Sequence, residues 1–155
     1  MATIEHSIGI LASPAQVWAR LTDIQGQPDW MTGIRSLEIT SETTRGLHTT
    51  FRVVSRGPFG TRVVDDMEYT EWVEEQALVV EHRGSVKGHG TFLLTPIELG
   101  TRLGWREEIR MPLGLLGELV FRLLYRRALR RTFKQDLWNL KRLVEEKADT
   151  TAQES

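Results

Sequence analysis

Glu107 stands where a carboxylate is least expected. From Leu103 to Arg110 the residues alternate, so that Leu103, Trp105, Glu107 and Ile109 share one face of a strand while Arg102, Arg106, Glu108 and Arg110 share the other. A carboxylate among such neighbours would have its pKa raised by desolvation, and could exchange a proton with a ligand or grip its hydroxyl. The competing reading puts Glu107 at the strand's end, where it reaches solvent or pairs with an arginine. Asp65, Met67 and Tyr69 form a similar set, in which Tyr69 either hydrogen-bonds a ligand or packs with its hydroxyl satisfied. Of the four histidines, His82 shares a face with Leu78 and Val80 and is the one expected to look inward, as a general base or as a satisfied structural residue. Glu107, Tyr69 and His82 are therefore the candidate catalytic residues. The histidines His6, His48, His82 and His89 are too dispersed for a helical metal motif, so no metal and no cofactor is expected. No serine stands in a G-x-S-x-G elbow and no phosphate-loop pattern occurs.

The elements that hold these residues follow from periodicity. Ile4, Ile8 and Ile10 recur at even spacing and mark a first strand from Thr3 to Leu11, with His6 on the same face. Ser13-Pro14-Ala15-Gln16 then carries the signals of a capped helix start, and Val17, Trp18 and Leu21 give that short helix its apolar side. Gln27-Pro28-Asp29-Trp30-Met31 reads as a second short helical turn ended by Gly33. From Ile34 to Arg110 the period changes to two. Breakers near Arg45-Gly46, Gly57-Pro58-Phe59-Gly60, Gly84 and Glu98-Leu99-Gly100 help divide this region into six strands, making seven in an antiparallel meander.

A long amphipathic helix closes the chain, from Pro112 to about Lys147. Leu116, Leu119, Val120, Leu123, Leu124, Leu129, Phe133, Leu137, Leu140 and Val144 recur close to helical spacing and predict one apolar stripe that needs a partner surface. Residues 1–147 are expected to form a single domain and 148–155, poor in apolar side chains, a disordered tail. The 20 Lys and Arg against 21 Asp and Glu give a net charge of −1, which argues against a nucleic-acid binder that relies on overall positive charge. There is no cysteine, hence no disulfide and no thiolate chemistry. The N-terminal MATIEHSIGI lacks a basic stretch followed by a long apolar one, so no signal peptide is read and a cytoplasmic location is the default.

Three local patterns give the chain a family likeness. Ile10-Leu11-Ala12-Ser13-Pro14-Ala15-Gln16-Val17-Trp18, Trp30-Met31-Thr32-Gly33-Ile34 and Tyr69-Thr70-Glu71-Trp72, in that order and followed by a long helix, resemble segments of the START-like superfamily, also called SRPBCC, and its polyketide cyclase/dehydrase branch. The resemblance covers about residues 2–146. It implies an α+β helix-grip fold, a seven-stranded antiparallel sheet curved around the C-terminal helix with two short helices after strand 1, and a cavity between sheet and helix. Inward positions expected to line that cavity are Trp30 after the second helical turn, Phe51, Val53, Met67, Tyr69, Val80, His82, Phe92, Leu103, Trp105 and Glu107 on strands, and Phe133 and Leu137 on the helix. The expected function is binding or carriage of a hydrophobic small molecule: a lipid, polyketide, isoprenoid or aromatic metabolite. The alternative is a polyketide cyclase/dehydrase-like enzyme that folds such a ligand by proximity and moves protons with one or two polar residues. Arg122, Arg126, Arg127, Arg130, Arg131 and Lys134 form a basic face, either merely solvated or docking an anionic membrane surface. A monomer or a homodimer is expected.

Overall fold

The structure, a computed structural model, describes residues 1–110 and 114–155, apart from the side chains of Pro58, Glu118 and Phe121. Seven antiparallel strands, β1 (Ala2–Ile10), β2 (Ile34–Ile39), β3 (Thr50–Arg56), β4 (Arg62–Val73), β5 (Ala77–His82), β6 (Gly88–Ile97) and β7 (Gly100–Ile109), form one sheet in the order β1-β7-β6-β5-β4-β3-β2. Strand β1 thus pairs with the last strand, Ile4 opposite Glu107 and Ile8 opposite Leu103, while β2 lies at the opposite edge. The chain between them carries helix α1 (Pro14–Leu21) and a 3-10 turn (Gln27–Asp29) from one edge to the other. Register shifts between Ile34 and Ser36 and between Tyr69 and Glu71 add local bends to the sheet.

Helix α1 begins as its sequence predicts. The Ser13 hydroxyl accepts from the Gln16 backbone N–H, and the Gln16 side chain accepts from the Ser13 backbone in return. Val17, Trp18 and Leu21 are buried and Trp18 meets Trp72 edge-on at 5.1 Å. The C-terminal helix comprises α2 (Gly114–Val120), a π-helical turn (Phe121–Tyr125) and α3 (Arg126–Glu154). Its expected entry at Pro112 lies outside the described residues. Phe133, Leu137, Leu140 and Val144 are buried against the sheet, and Lys141 Nζ bonds the Gly9 carbonyl at 2.8 Å while Glu145 accepts from the Leu11 N–H at 2.8 Å. These contacts fix α3 across β1. This is the helix-grip arrangement.

Two features of the helix depart from the sequence reading. The apolar stripe is not buried along its whole length: Leu116, Leu119 and Val120, upstream of the π turn, and Leu123 and Leu124, within it, are exposed. The helix also runs on through Ala148 to Glu154, where the composition predicts disorder. Ala148 packs against the core, no glycine or proline interrupts, and the Thr150 and Thr151 hydroxyls bond carbonyls one turn back.

Candidate functional site

The cavity lies between the sheet and α3 and has a volume of about 270 Å³. Its walls are built from alternate residues of β3 to β7, closed over by Leu129, Thr132, Phe133 and Asp136 of α3. Trp105 is the central ring. Phe133 stacks on it at 4.0 Å, Phe92 of the neighbouring strand lies at 5.1 Å, and Trp30 meets it edge-on at 6.3 Å. Arg56 is exposed and Ser55, Val63, Val86, Ile109 and Leu129 are half-buried, all at one end of the sheet, so the mouth opens there.

Just inside that end, three titratable residues meet. Pairing places Gly90 of β6 between Val80 of β5 and Glu107 of β7. With no side chain at position 90, Glu107 reaches across β6 to His82; a Cβ there would lie 2.7 Å from Glu107 Oε2. His82 Nε2 donates to Glu107 Oε1 at 2.5 Å, and Trp105 Nε1 donates to Glu107 Oε2 at 3.0 Å. On its other side His82 donates from Nδ1 to Asp65, whose second oxygen accepts from the Gly84 backbone N–H at 2.9 Å. Glu107 is 5% exposed and Asp65 3%. Burial of the imidazole works against its charged form, but the hydrogen bonds and charges of Asp65 and Glu107 outweigh it and hold the His82 pKa up at about 9. At neutral pH His82 is therefore an imidazolium, clamped between the Asp65 and Glu107 side chains.

Two further polar groups face the cavity. Asp136, buried on α3, accepts at one oxygen from both the backbone N–H and the hydroxyl of Thr32, at 3.0 and 2.9 Å. Desolvation pushes its carboxyl above the ordinary range, against the pull of those two bonds. Tyr69 is fully buried and its hydroxyl accepts from Gln27 Nε2 at 3.4 Å; burial pushes the phenol up.

Of the residues expected to line the cavity, Trp30, Phe51, Val53, Met67, Tyr69, Val80, His82, Phe92, Trp105, Glu107 and Phe133 do so. Leu103 and Leu137 do not. Both are buried in the core, at the end where α1 packs against β6, β7 and α3, so α1 fills there the space that remains open nearer the mouth. Glu107 and His82 come together, whereas Tyr69 turns to Gln27 instead. Glu107 pairs with neither solvent nor arginine but with a histidine and an indole. Asp65 and Asp136 are not among the candidates the sequence singles out. The signal for Asp65 is its place on the face of Met67 and Tyr69; for Asp136 it is a position three residues after Phe133 on the stripe of a helix.

Comparison with known proteins agrees with this geometry. No curated protein matches the chain significantly. Among solved structures, TTHA0849 from Thermus thermophilus superposes with a TM-score of 0.74 at 22% identity, covering 92% of this chain and 97% of that one. SA2116 from Staphylococcus aureus, a protein of unknown function, gives 0.74 at 13% identity over 96% of both chains. The di-domain ARO/CYC StfQ from the steffimycin biosynthetic pathway gives 0.77 at 18% identity, with 95% of this chain matching 52% of that one. These likenesses establish the fold. The family model described as polyketide cyclase / dehydrase and lipid transport matches residues 1–145, nearly the whole chain, and to that family, within the START-like superfamily, the protein belongs.

Proposed function

We propose that the protein binds and carries a hydrophobic small molecule in the cavity beneath α3. The observation that carries this reading is the composition of the walls: aromatic and aliphatic side chains throughout, with polar groups gathered at a few points. A volume of about 270 Å³ lies near the lower end of the ~300–1,000 Å³ usual for small-molecule sites. Compact ring systems, an aromatic polyketide or a short isoprenoid, suit it better than a long-chain lipid. Adaptable Met31 and Met67 in the walls suit a carrier that accepts related shapes. The test is binding of a panel of apolar fluorescent probes, paired with native mass spectrometry of freshly purified protein. About one probe per chain at micromolar concentration is expected, with loss of binding in Met67→Trp, which adds bulk from the wall. A folded protein that binds none of the panel would defeat the reading.

A second reading, a cyclase or dehydrase acting on such a ligand, rests on the His82 cluster. The imidazolium is a proton source, and Glu107 is the carboxylate that would take a proton back, so a poly-β-ketone held against them could enolise and close a ring by proximity. Poly-β-ketone thioesters discriminate the readings. Cyclisation faster than in buffer, and lost in Glu107→Gln while probe binding persists, supports the enzyme; binding without turnover leaves the carrier.

A further inference from the structure

The first turns of the C-terminal helix present apolar side chains to water. Leu115 is 86% exposed, Leu123 70% and Leu124 67%, and Leu116 is also exposed, in a segment whose downstream half packs in the core. Beside them, on the turn between β3 and β4, Phe59 is 94% exposed and adopts φ 56°, a left-handed conformation that a bulky side chain avoids. Its ring meets Tyr125 edge-on at 6.2 Å, which brings the turn and the helix tip into one surface. Immediately along the helix come Arg122, Arg126, Arg127, Arg130, Arg131 and Lys134, all exposed. Residues 114–134 hold these six cations against one acid, Glu118, in a chain whose net charge is −1. Among the described residues none of the six has an acidic partner at ion-pair distance.

We propose that this leucine tip and arginine belt dock the protein on an anionic membrane surface. The order along the axis fits: at ~1.5 Å per residue the leucines occupy the first ~15 Å of helix and most of the cations the next ~12 Å. Apolar side chains can thus enter the interface while guanidinium groups meet phosphate and carboxylate headgroups behind them. A second copy of the chain is a poorer occupant, because a two-fold contact through this face would bring the two belts of unpaired cations together. The cavity mouth lies at the same end, rimmed by Arg56, Val63 and Leu129. Docking would face that mouth to the bilayer.

Co-sedimentation with vesicles of phosphatidylcholine alone, and of phosphatidylcholine mixed with phosphatidylserine, tests the proposal at low and high salt. The protein should bind the mixed vesicles, bind neutral ones far less, and be released by salt. Arg126→Gln with Arg127→Gln should lower the partition coefficient about 25-fold, near fivefold for each cation removed. Leu115→Ser with Leu123→Ser should lower it with the charges intact. All four side chains are exposed, so unchanged circular dichroism and melting temperature are expected and confirm that the fold survives. Equal binding to both vesicle types, indifference to salt, or no binding to either overturns the proposal. Self-association that the leucine variants abolish, without vesicle binding, assigns the face to a second copy and overturns it too.

Discussion

Raising the pH should weaken the fold through one residue. The His82 pKa stands at about 9 in the folded protein against 6.5 for an unconstrained imidazole, so between those values the native state holds a proton that the unfolded chain has released. A raised pKa means stability that is complete below pH 6.5 and is lost as the pH climbs through 9. The slope in that window is about −1.4 kcal/mol per pH unit, and the whole shift corresponds to roughly 3 kcal/mol. In a domain of this size the total is only ~5–15 kcal/mol, so the loss is large enough to measure. Urea unfolding followed by tryptophan fluorescence at pH 6, 7.5 and 9.5 reads it directly, since Trp105 itself bonds Glu107. His82→Gln removes the titrating group and leaves two buried carboxylates without their cation, which should cost ~3–5 kcal/mol at pH 6. That gap should narrow toward pH 9.5, where the wild-type imidazole is itself neutral. A wild-type stability that is flat from pH 6.5 to 9, or a gap that does not close, would refute the assignment of an imidazolium to this site.

Three other substitutions extend the test. Gly90→Ala puts a Cβ 2.7 Å from Glu107 Oε2 and should cost ~1–3 kcal/mol in urea unfolding while flattening the pH dependence above. Gly104→Ala on the next strand, whose Cβ meets nothing closer than the Leu93 carbonyl oxygen at 3.9 Å, should be near neutral. Asp136→Asn keeps the shape that receives Thr32 and removes a charge that burial disfavours, so the variant should match or exceed wild type by up to ~1 kcal/mol at pH 7. Its advantage should shrink on acidification, because a carboxyl with a raised pKa contributes stability at low pH that is lost as the pH rises.

The strands were legible because one face of each is buried, which imposes a period of two that survives in the residue order. The capping box at Ser13 and Gln16 and the glycine turns were legible because their chemistry is local. Contact between His82 and Glu107 was not. The two lie on β5 and β7, which never pair with each other, and the contact exists only because both flank β6 at a position where Gly90 leaves room. The residue order shows the missing side chain at Gly90 but not the residue that uses the space. Asp136 escaped for a related reason: its partner Thr32 is 104 residues away, in a loop whose path only the sheet order determines. The exposed leucines upstream of Arg126 escaped because a stripe counted at helical spacing shows which residues share a face and not whether a partner surface lies opposite them.

The placement of the polar cluster constrains how a ligand would lie. Asp65, His82 and Glu107 are within a few residues of the strand ends at the mouth, whereas Phe51, Tyr69 and Leu78 line the region farther in. A molecule entering apolar part first would therefore leave its polar group beside the cluster. Both nitrogens of His82 are engaged with carboxylates, and Glu107 spends its second oxygen on Trp105, so the cluster offers a new partner lone pairs and no spare imidazole N–H. A hydroxyl, phenol or enol that can donate fits these conditions. The same arithmetic bears on chemistry: a proton can leave His82 for a bound ligand only if one of its two carboxylate partners gives way. A ligand oxygen that displaced Glu107 from Nε2 would do so, and would at the same moment free Glu107 to accept a proton from the ligand's carbon.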